Sequence, residues 1–350
     1  MFELQNILRE NIKNLIPYSS ARNEFNGEAS VFLDANENSF GSPLTENYNR
    51  YPDPLQTAIK QKLSLIKGVP VKNIFLGNGS DEAIDILFRA FCRPGMDNVI
   101  TVPPTYGMYE VSANINDVEN RKVKLTAAFQ LDMERIAETI DENTRIIFIC
   151  SPNNPTGNSI DRNDIQTLLA NFNGIVVVDE AYINYSRQKT FIQELTEFAN
   201  LVVLQTLSKA WGLAGLRVGM AFASEEIIEV FNKVNAPYNI SQASQQLVLR
   251  ALENIDQVNE WIKQTVQERE NLTLQLSLLD FVQNIYPSDA NFLLVKTSDP
   301  VFIYQALVKQ GIIVRNRSTV ELCEGCLRIT VGTPEENEIL IHAMKSLNWR

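Results

Sequence analysis

Five short apolar runs, at residues 73–76, 98–102, 145–150, 174–178 and 201–204, each give out into a loop of small or polar residues. Between runs the sequence takes on helical spacing, as at residues 83–91. The runs are rich in β-branched residues and apolar on both faces, which suits strands covered by helices on each side. Strands alternating with helices build a mostly parallel sheet, so the expected class is α/β. Residues 241–278 predict one or two long amphipathic helices. Beyond them FLLVK, GIIVR and CLRITVG read as strands, and residues 301–310 and 334–347 as helices. The expected organisation is an N-terminal arm over residues 1–40, extended at 17–30 and joining the smaller domain, a large domain over 41–240 and a small α/β domain over 241–350.

A chain of 350 residues is long enough for two domains. The net charge is −11 and no basic stripe stands out, so nucleic acid is not an expected partner. MFELQNILRE lacks the pattern of a secretory signal, and no apolar run approaches the ~20 residues of a membrane span. Four cysteines do not form a disulfide framework, and Cys323 and Cys326 make a single CxxC with no second pair. Free thiols and a cytoplasmic location are expected, and no metal. The one histidine, His342, lies in a C-terminal helical pattern. Acid–base work would then fall to lysine, carboxylate or tyrosine.

The loops at the strand ends carry the chemistry, because ligands of open α/β sheets sit at the carboxyl ends of strands. GNGSDE (77–82) opens a helix whose free N–H groups suit a phosphate, though Ser80 or Asp81 would also serve as a plain N-cap. PPTYG (103–107) presents Tyr106, which could lie on an aromatic ligand or pack in the core. SPNNPTG (151–157) could aim the Asn154 amide at a ligand oxygen, or be a simple loop. In DEAY (179–182), Asp179 ends a buried strand and wants a cation, such as a protonated pyridine nitrogen or a metal. In TLSKAWGLAGLRVG (206–219), Lys209 sits among apolar neighbours, which would lower its pKa and make its amine nucleophilic towards an aldehyde. Arg217, Thr206 and Ser208 suit a phosphate. An amine for an aldehyde, a carboxylate for a pyridinium, a phosphate cradle and an aromatic face together describe pyridoxal 5′-phosphate.

These motifs resemble those of the histidinol-phosphate aminotransferases, within the fold-type I pyridoxal-phosphate enzymes related to aspartate aminotransferase. IPYSSAR, LDANEN, RYPDP, PPTYGMY, CSPNNPTG, VVDEAY, SKAWGLAGLR, GIIVR and CLRITVG spread the resemblance over essentially the whole chain. It implies that Lys209 holds the cofactor and moves the substrate proton, and that Asp179 pairs with the ring nitrogen. It also implies that Asn154 and Tyr182 bind the phenolic oxygen and that Tyr106 stacks on the ring. Gly79, Ser80, Asp81, Thr206, Ser208 and Arg217 would cup the phosphate. Tyr51 would reach that phosphate from the neighbouring subunit of a homodimer. Tyr18, Arg315 and Arg328 would line the substrate pocket, where arginine forks suit both the phosphate of histidinol phosphate and the carboxylates of glutamate and 2-oxoglutarate. Trp211 stands where a smaller aromatic is common, and Arg317 adds a further cation at the pocket mouth. An aromatic amino-acid aminotransferase or a phosphothreonine decarboxylase would use the same scaffold. A non-catalytic regulator would carry a fused DNA-binding domain, and nothing in the first 40 residues resembles one.

Overall fold

The computed structural model describes residues 2–18 and 30–347, so most of the arm expected at 17–30 lies outside the described residues. Among the described residues, the strands are β1 (Ile74–Asn78), β2 (Asn98–Thr101), β3 (Glu119–Lys122), β4 (Thr144–Cys150), β5 (Ile175–Asp179), β6 (Leu201–Thr206) and β7 (Val218–Phe222) in a first group. A second group holds β8 (Val282–Ile285), β9 (Phe292–Thr297), β10 (Arg315–Asn316) and β11 (Cys326–Thr330). The first group forms a seven-stranded sheet in the order β1-β7-β6-β5-β4-β2-β3, the second a four-stranded sheet in the order β10-β11-β9-β8.

Alternate residues of each central strand enter different apolar layers, which is why the runs read as apolar throughout. Val176 and Val178 of β5 pack with Ile165, Leu168 and Leu169 of the helix Arg162–Asn171. Ile175 and Val177 face the other layer, with Phe88 and Phe91 of the helix Ser80–Phe91. Each large side chain fully buried in this way contributes about 1.5–3 kcal/mol. Ile7, Leu8 and Ile12 join that second layer, so the described start of the chain packs on the large sheet and not on the small one. Its apolar positions find their partners on helices of the large unit, and the Arg9 guanidinium donates to the Arg89 carbonyl at 2.8 Å.

Three strands escaped the sequence pattern: β3, β7 and β8, the last a half-exposed edge strand of the smaller sheet. β3 is the polar edge strand ENRK, which needs no apolar face because one side of it is solvated. β7 is short and follows a glycine-bearing loop, yet it runs antiparallel between β1 and β6. Conversely, GIIVR contributes only Arg315 to β10, because residues 311 and 312 are spent closing the preceding helix: their N–H groups donate to the Val308 and Leu307 carbonyls. The stretch 241–278 resolves into helices Gln242–Ala251 and Ile255–Ser277 with a 3₁₀ turn between them. The smaller sheet packs Leu293, Val295 and Ile329 against helices Ile255–Ser277, Pro300–Lys309 and Pro334–Lys345. No helix among the described residues is long and apolar enough to cross a membrane.

Candidate active site

The reversed direction of β7 assembles the site. β1, β2, β4, β5 and β6 all end at one edge of the large sheet, and β7 begins there. Its register sets Val218 opposite Asn78 and Gly219 opposite Thr206. Arg217, just before β7, therefore meets Gly79, Asp81 and Ser208, which lie far from it in sequence. The Gly79 N–H donates to the Arg217 carbonyl at 2.9 Å. Gly79 has φ +74°, and a Cβ there would stand 2.5 Å from Arg217 Nη2. A Cβ on Gly219 would stand 2.1 Å from the Ser80 nitrogen, so only glycine lets the chain cross β7 at this point.

A cavity of about 680 Å³ opens at this edge, roofed by Arg315, Arg317, Val320 and Arg328 from the smaller sheet and its loop. Gly79, Ser80, Asp81, Tyr106, Asn154, Asp179, Tyr182, Thr206, Ser208, Lys209, Arg217, Arg315 and Arg328 all line it. Five basic and two acidic side chains face the space, in a chain of net charge −11. Such a cavity focuses positive potential and draws in anions.

At one end, the helix Ser80–Phe91 points its N-terminus at the space with no side chain capping it. Thr206 Oγ1 lies 3.0 Å from Ser208 Oγ and accepts the Ser208 N–H at 3.1 Å. Arg217 Nη1 reaches Ser208 Oγ at 3.4 Å, and Nη2 lies 3.4 Å from Asp81 Oδ2. Free helix N–H groups, two hydroxyls and a guanidinium form a donor set for a phosphate. The Asp81 carboxylate accepts the Tyr106 hydroxyl at 3.0 Å, so Asp81 offers an anion its backbone N–H and not its side chain.

In the middle, Asp179 is 2% exposed. Its Oδ2 accepts the Tyr109 hydroxyl at 2.7 Å and its Oδ1 the Ala181 N–H at 3.1 Å. Burial pushes its pKa up to about 6 against the pull of those two donors, and Lys209 draws it down only weakly. A buried carboxylate held so close to neutrality is suited to a cationic partner, which would return it to the ionised form. Glu180, next along the strand, points away from the cavity and is bonded to Thr190, the Phe191 N–H and Gln205.

Lys209 keeps the apolar flank that the sequence gives it and also reaches the cavity. Ala210 and Trp211 beside it are buried in the core, while the Lys209 side chain opens into the cavity. Its Nζ lies 5.6 Å from the centre of the Tyr182 ring. Partial burial lowers its pKa first, followed by the positive charge of Arg328. The Tyr182 hydroxyl accepts from Asn154 Nδ2 at 3.3 Å, and Asn154 Oδ1 in turn accepts from Arg328. Burial raises the Tyr182 pKa, so the phenol stays protonated and able to donate.

Three further residues singled out in the sequence, Tyr18, Tyr51 and Trp211, lie outside this cavity. Tyr18 is 73% and Tyr51 51% exposed, and neither lines this cavity. Tyr51 stacks on Tyr238 at 4.6 Å beside a separate cavity. Trp211 belongs to the apolar core. The exposed His342 lies on the helix Pro334–Lys345, and Cys323 and Cys326 are buried free thiols closing a turn. Two contributors were missed. Tyr109 lies in the first turn of the helix Met108–Ile115, three residues after Tyr106, and no local pattern marked it out. Asn153 ties the two loops together, accepting Thr105 Oγ1 at 3.0 Å and donating to the Pro104 carbonyl at 2.8 Å.

Comparison with known proteins agrees with this geometry. Residues 23–344 match the family described as aminotransferase class I and II. The histidinol-phosphate aminotransferase of Parabacteroides distasonis is 56% identical over 347 residues, 99% of each chain. That of Cytophaga hutchinsonii is 52% identical over 345 residues, again 99% of each. In fold, the chain resembles the histidinol-phosphate aminotransferase of Clostridium acetobutylicum, with TM-score 0.78 and 21% identity over 85% of this chain and 90% of that one. It also resembles the Sinorhizobium meliloti histidinol-phosphate aminotransferase solved in complex with pyridoxal-5′-phosphate, with TM-score 0.76 and 22% identity over 89% of this chain and 90% of that one. With a family match across nearly its full length and relatives more than half identical to it, the chain belongs to the class I and II aminotransferases, among the histidinol-phosphate aminotransferases.

Proposed function

We propose that the protein transfers the amino group of L-histidinol phosphate to 2-oxoglutarate, giving imidazole acetol phosphate and L-glutamate, with pyridoxal 5′-phosphate as cofactor. The observation that carries this reading is the set of groups gathered in one cavity. A donor set suited to a phosphate, a buried carboxylate, an amine and a cluster of arginines all line it.

The donor set fits the cofactor. Gly79, Ser80, Asp81, Thr206, Ser208 and Arg217 would hold its phosphate, Asp179 its ring nitrogen, Tyr106 its ring face, and Asn154 with Tyr182 its phenolic oxygen. Bound pyridoxal phosphate supplies an aldehyde for the donor's amine and a ring that takes up the electron pair left when the donor's C–H bond breaks. Lys209 Nζ, with its pKa lowered, takes the proton from the donor carbon and later returns one. Asp179, ionised against a cation, keeps the ring nitrogen protonated and so strengthens the sink. Arg315 and Arg328 hold the substrate anion by their planar forks, phosphate in one half-reaction and carboxylate in the other.

A two-fold homodimer with shared sites belongs to the same reading. Tyr51 lies exposed and outside its own chain's cavity, which supports its serving a second copy. The same reading divides the chain into an N-terminal arm over 1–40, a cofactor-binding large domain over 41–240 and a small domain over 241–350, and places it in the cytoplasm, in keeping with free thiols.

The test is an amino-donor panel on the purified protein, comparing histidinol phosphate, phenylalanine, tyrosine and phosphothreonine with 2-oxoglutarate as acceptor. Histidinol phosphate should give the highest kcat/KM, with glutamate as product. Faster turnover of phenylalanine, or carbon dioxide released from phosphothreonine, would replace this reading with another on the same scaffold.

A further inference from the structure

Arg317 has no role in the reading above, yet it lines the same cavity. Its position follows from the β10–β11 hairpin. Arg315 pairs directly with Arg328, and the Arg317 N–H donates to the Cys326 carbonyl at 2.9 Å, extending the ladder. Residues two apart on extended chain share a face, so Arg317 presents its guanidinium beside that of Arg315. Three guanidiniums thus converge on one wall.

The Arg317 Nε is buried and, among the described residues, has no hydrogen-bond partner. Among the described residues no carboxylate pairs with Arg315, Arg317 or Arg328. Several arginines elsewhere are matched to carboxylates within the fold: Arg50 with Glu37, Arg93 with Asp97 and Arg121 with Asp141, each at 2.7 Å. A buried guanidinium nitrogen left without an acceptor is costly, and two like charges beside it add repulsion. Burial and the neighbouring Arg315 both disfavour the charged form of Arg317. The cluster is therefore a site that an anion from outside completes.

The count of forks bears on which anion. A carboxylate has one charge and two oxygens in a plane, which two guanidiniums saturate. A phosphate monoester carries close to two charges near neutral pH and three oxygens arranged around phosphorus. We infer that Arg317 is a third anion-holding side chain that engages the phosphate of the phosphorylated donor and thereby sets the preference for that donor over glutamate. This rests on the proposed function, and it predicts unequal effects on the two substrates of one enzyme.

The experiment is steady-state kinetics of the cofactor-loaded parent, Arg317→Gln and Arg317→Lys, with histidinol phosphate (2-oxoglutarate as acceptor) and glutamate (an aromatic 2-oxo acid as acceptor) as alternative donors. Loss of one charged hydrogen-bonding group should raise the histidinol phosphate KM by roughly 10–100-fold in Arg317→Gln. The glutamate KM should rise several-fold less, and kcat for histidinol phosphate should change less than its KM. Arg317→Lys, which keeps the charge and loses the fork, should fall between. Inorganic phosphate should inhibit the parent competitively against glutamate and inhibit Arg317→Gln more weakly. Equal KM changes for both donors, or an unchanged histidinol phosphate KM, would overturn the inference. If Arg317→Gln does not retain cofactor absorbance, Arg317→Lys decides by the same ratio of KM values. A parent enzyme that turns over glutamate but no histidinol phosphate would instead overturn the proposed function, a separate result visible before any variant is made.

Discussion

The Tyr109 hydroxyl donates to the Asp179 carboxylate across 2.7 Å, and both groups are almost completely shielded from water. Tyr109 itself is stacked on Phe148 at 4.8 Å, so its hydroxyl is aimed by the core and not by the cavity. The bond favours the ionised form of Asp179, while burial favours the neutral one. Catalysis as proposed depends on the balance between them.

Tyr109→Phe tips that balance. It leaves a buried carboxylate oxygen without its donor, at a cost of about 1–3 kcal/mol, and moves the Asp179 pKa above its present value of about 6. Affinity of the cofactor-free protein for pyridoxal phosphate should therefore fall more at pH 6 than at pH 8, because fewer molecules hold Asp179 ionised at the lower pH. A titration of cofactor binding over that range reads the effect. An equal loss at both ends would mean that Tyr109 supports packing alone.

Asp179→Asn bears on stability. The folded pKa of Asp179, about 6, is raised from the ordinary 3.8. Its favourable contribution is thus complete below about 4 and is lost as pH rises through 6, leaving a burden on the order of 3 kcal/mol on the cofactor-free fold at neutral pH. Asparagine cannot ionise. The Tm of cofactor-free Asp179→Asn, relative to the parent, should be more favourable at pH 7.5 than at pH 4.5, while turnover of the loaded variant drops strongly. A Tm difference that does not move with pH would show that Asp179 does not titrate in this window.

Lys209 should carry the cofactor. Borohydride treatment of the loaded enzyme should bleach its visible absorbance and fix the label on the peptide containing Lys209, and Lys209→Ala should show no turnover. Label recovered on any other lysine would refute the assignment.

Gly219→Ala tests the crossing of β1's loop over β7. The added methyl meets backbone at 2.1 Å, which no rotamer change relieves. Overpacking of this kind costs about 1–3 kcal/mol or more, and here it displaces Gly79 and Ser80 as well. Both Tm and cofactor affinity should fall. Unaltered cofactor affinity would mean that this segment does not hold the phosphate.

Shared sites can be probed by complementation. Lys209→Ala and Tyr51→Ala proteins should each be impaired alone. Co-expressed, each mixed dimer keeps one site with both residues intact, so random pairing leaves roughly a quarter of all sites whole and activity should recover to about that fraction. No recovery, with mixed dimers shown to form, would mean that Tyr51 serves its own chain.

The sequence by itself determined the parallel core and most of the cavity's members. Runs such as IVVVD are apolar at every position because helices cover both faces, and that signature is local. The loops at the strand ends are local too, so Lys209, Asp179 and Asn154 could be named from their short motifs. What tertiary structure decided are relations between distant segments. β7 is short and shows no periodicity of its own, yet its reversed direction carries Arg217 to Gly79 and Ser208. Tyr109 acts on Asp179, 70 residues away, through a contact that only packing creates. Arg317 counts as an unmatched cation only once the fold shows which carboxylates lie within its reach, because burial and pairing belong to the whole structure and not to the order of residues along the chain.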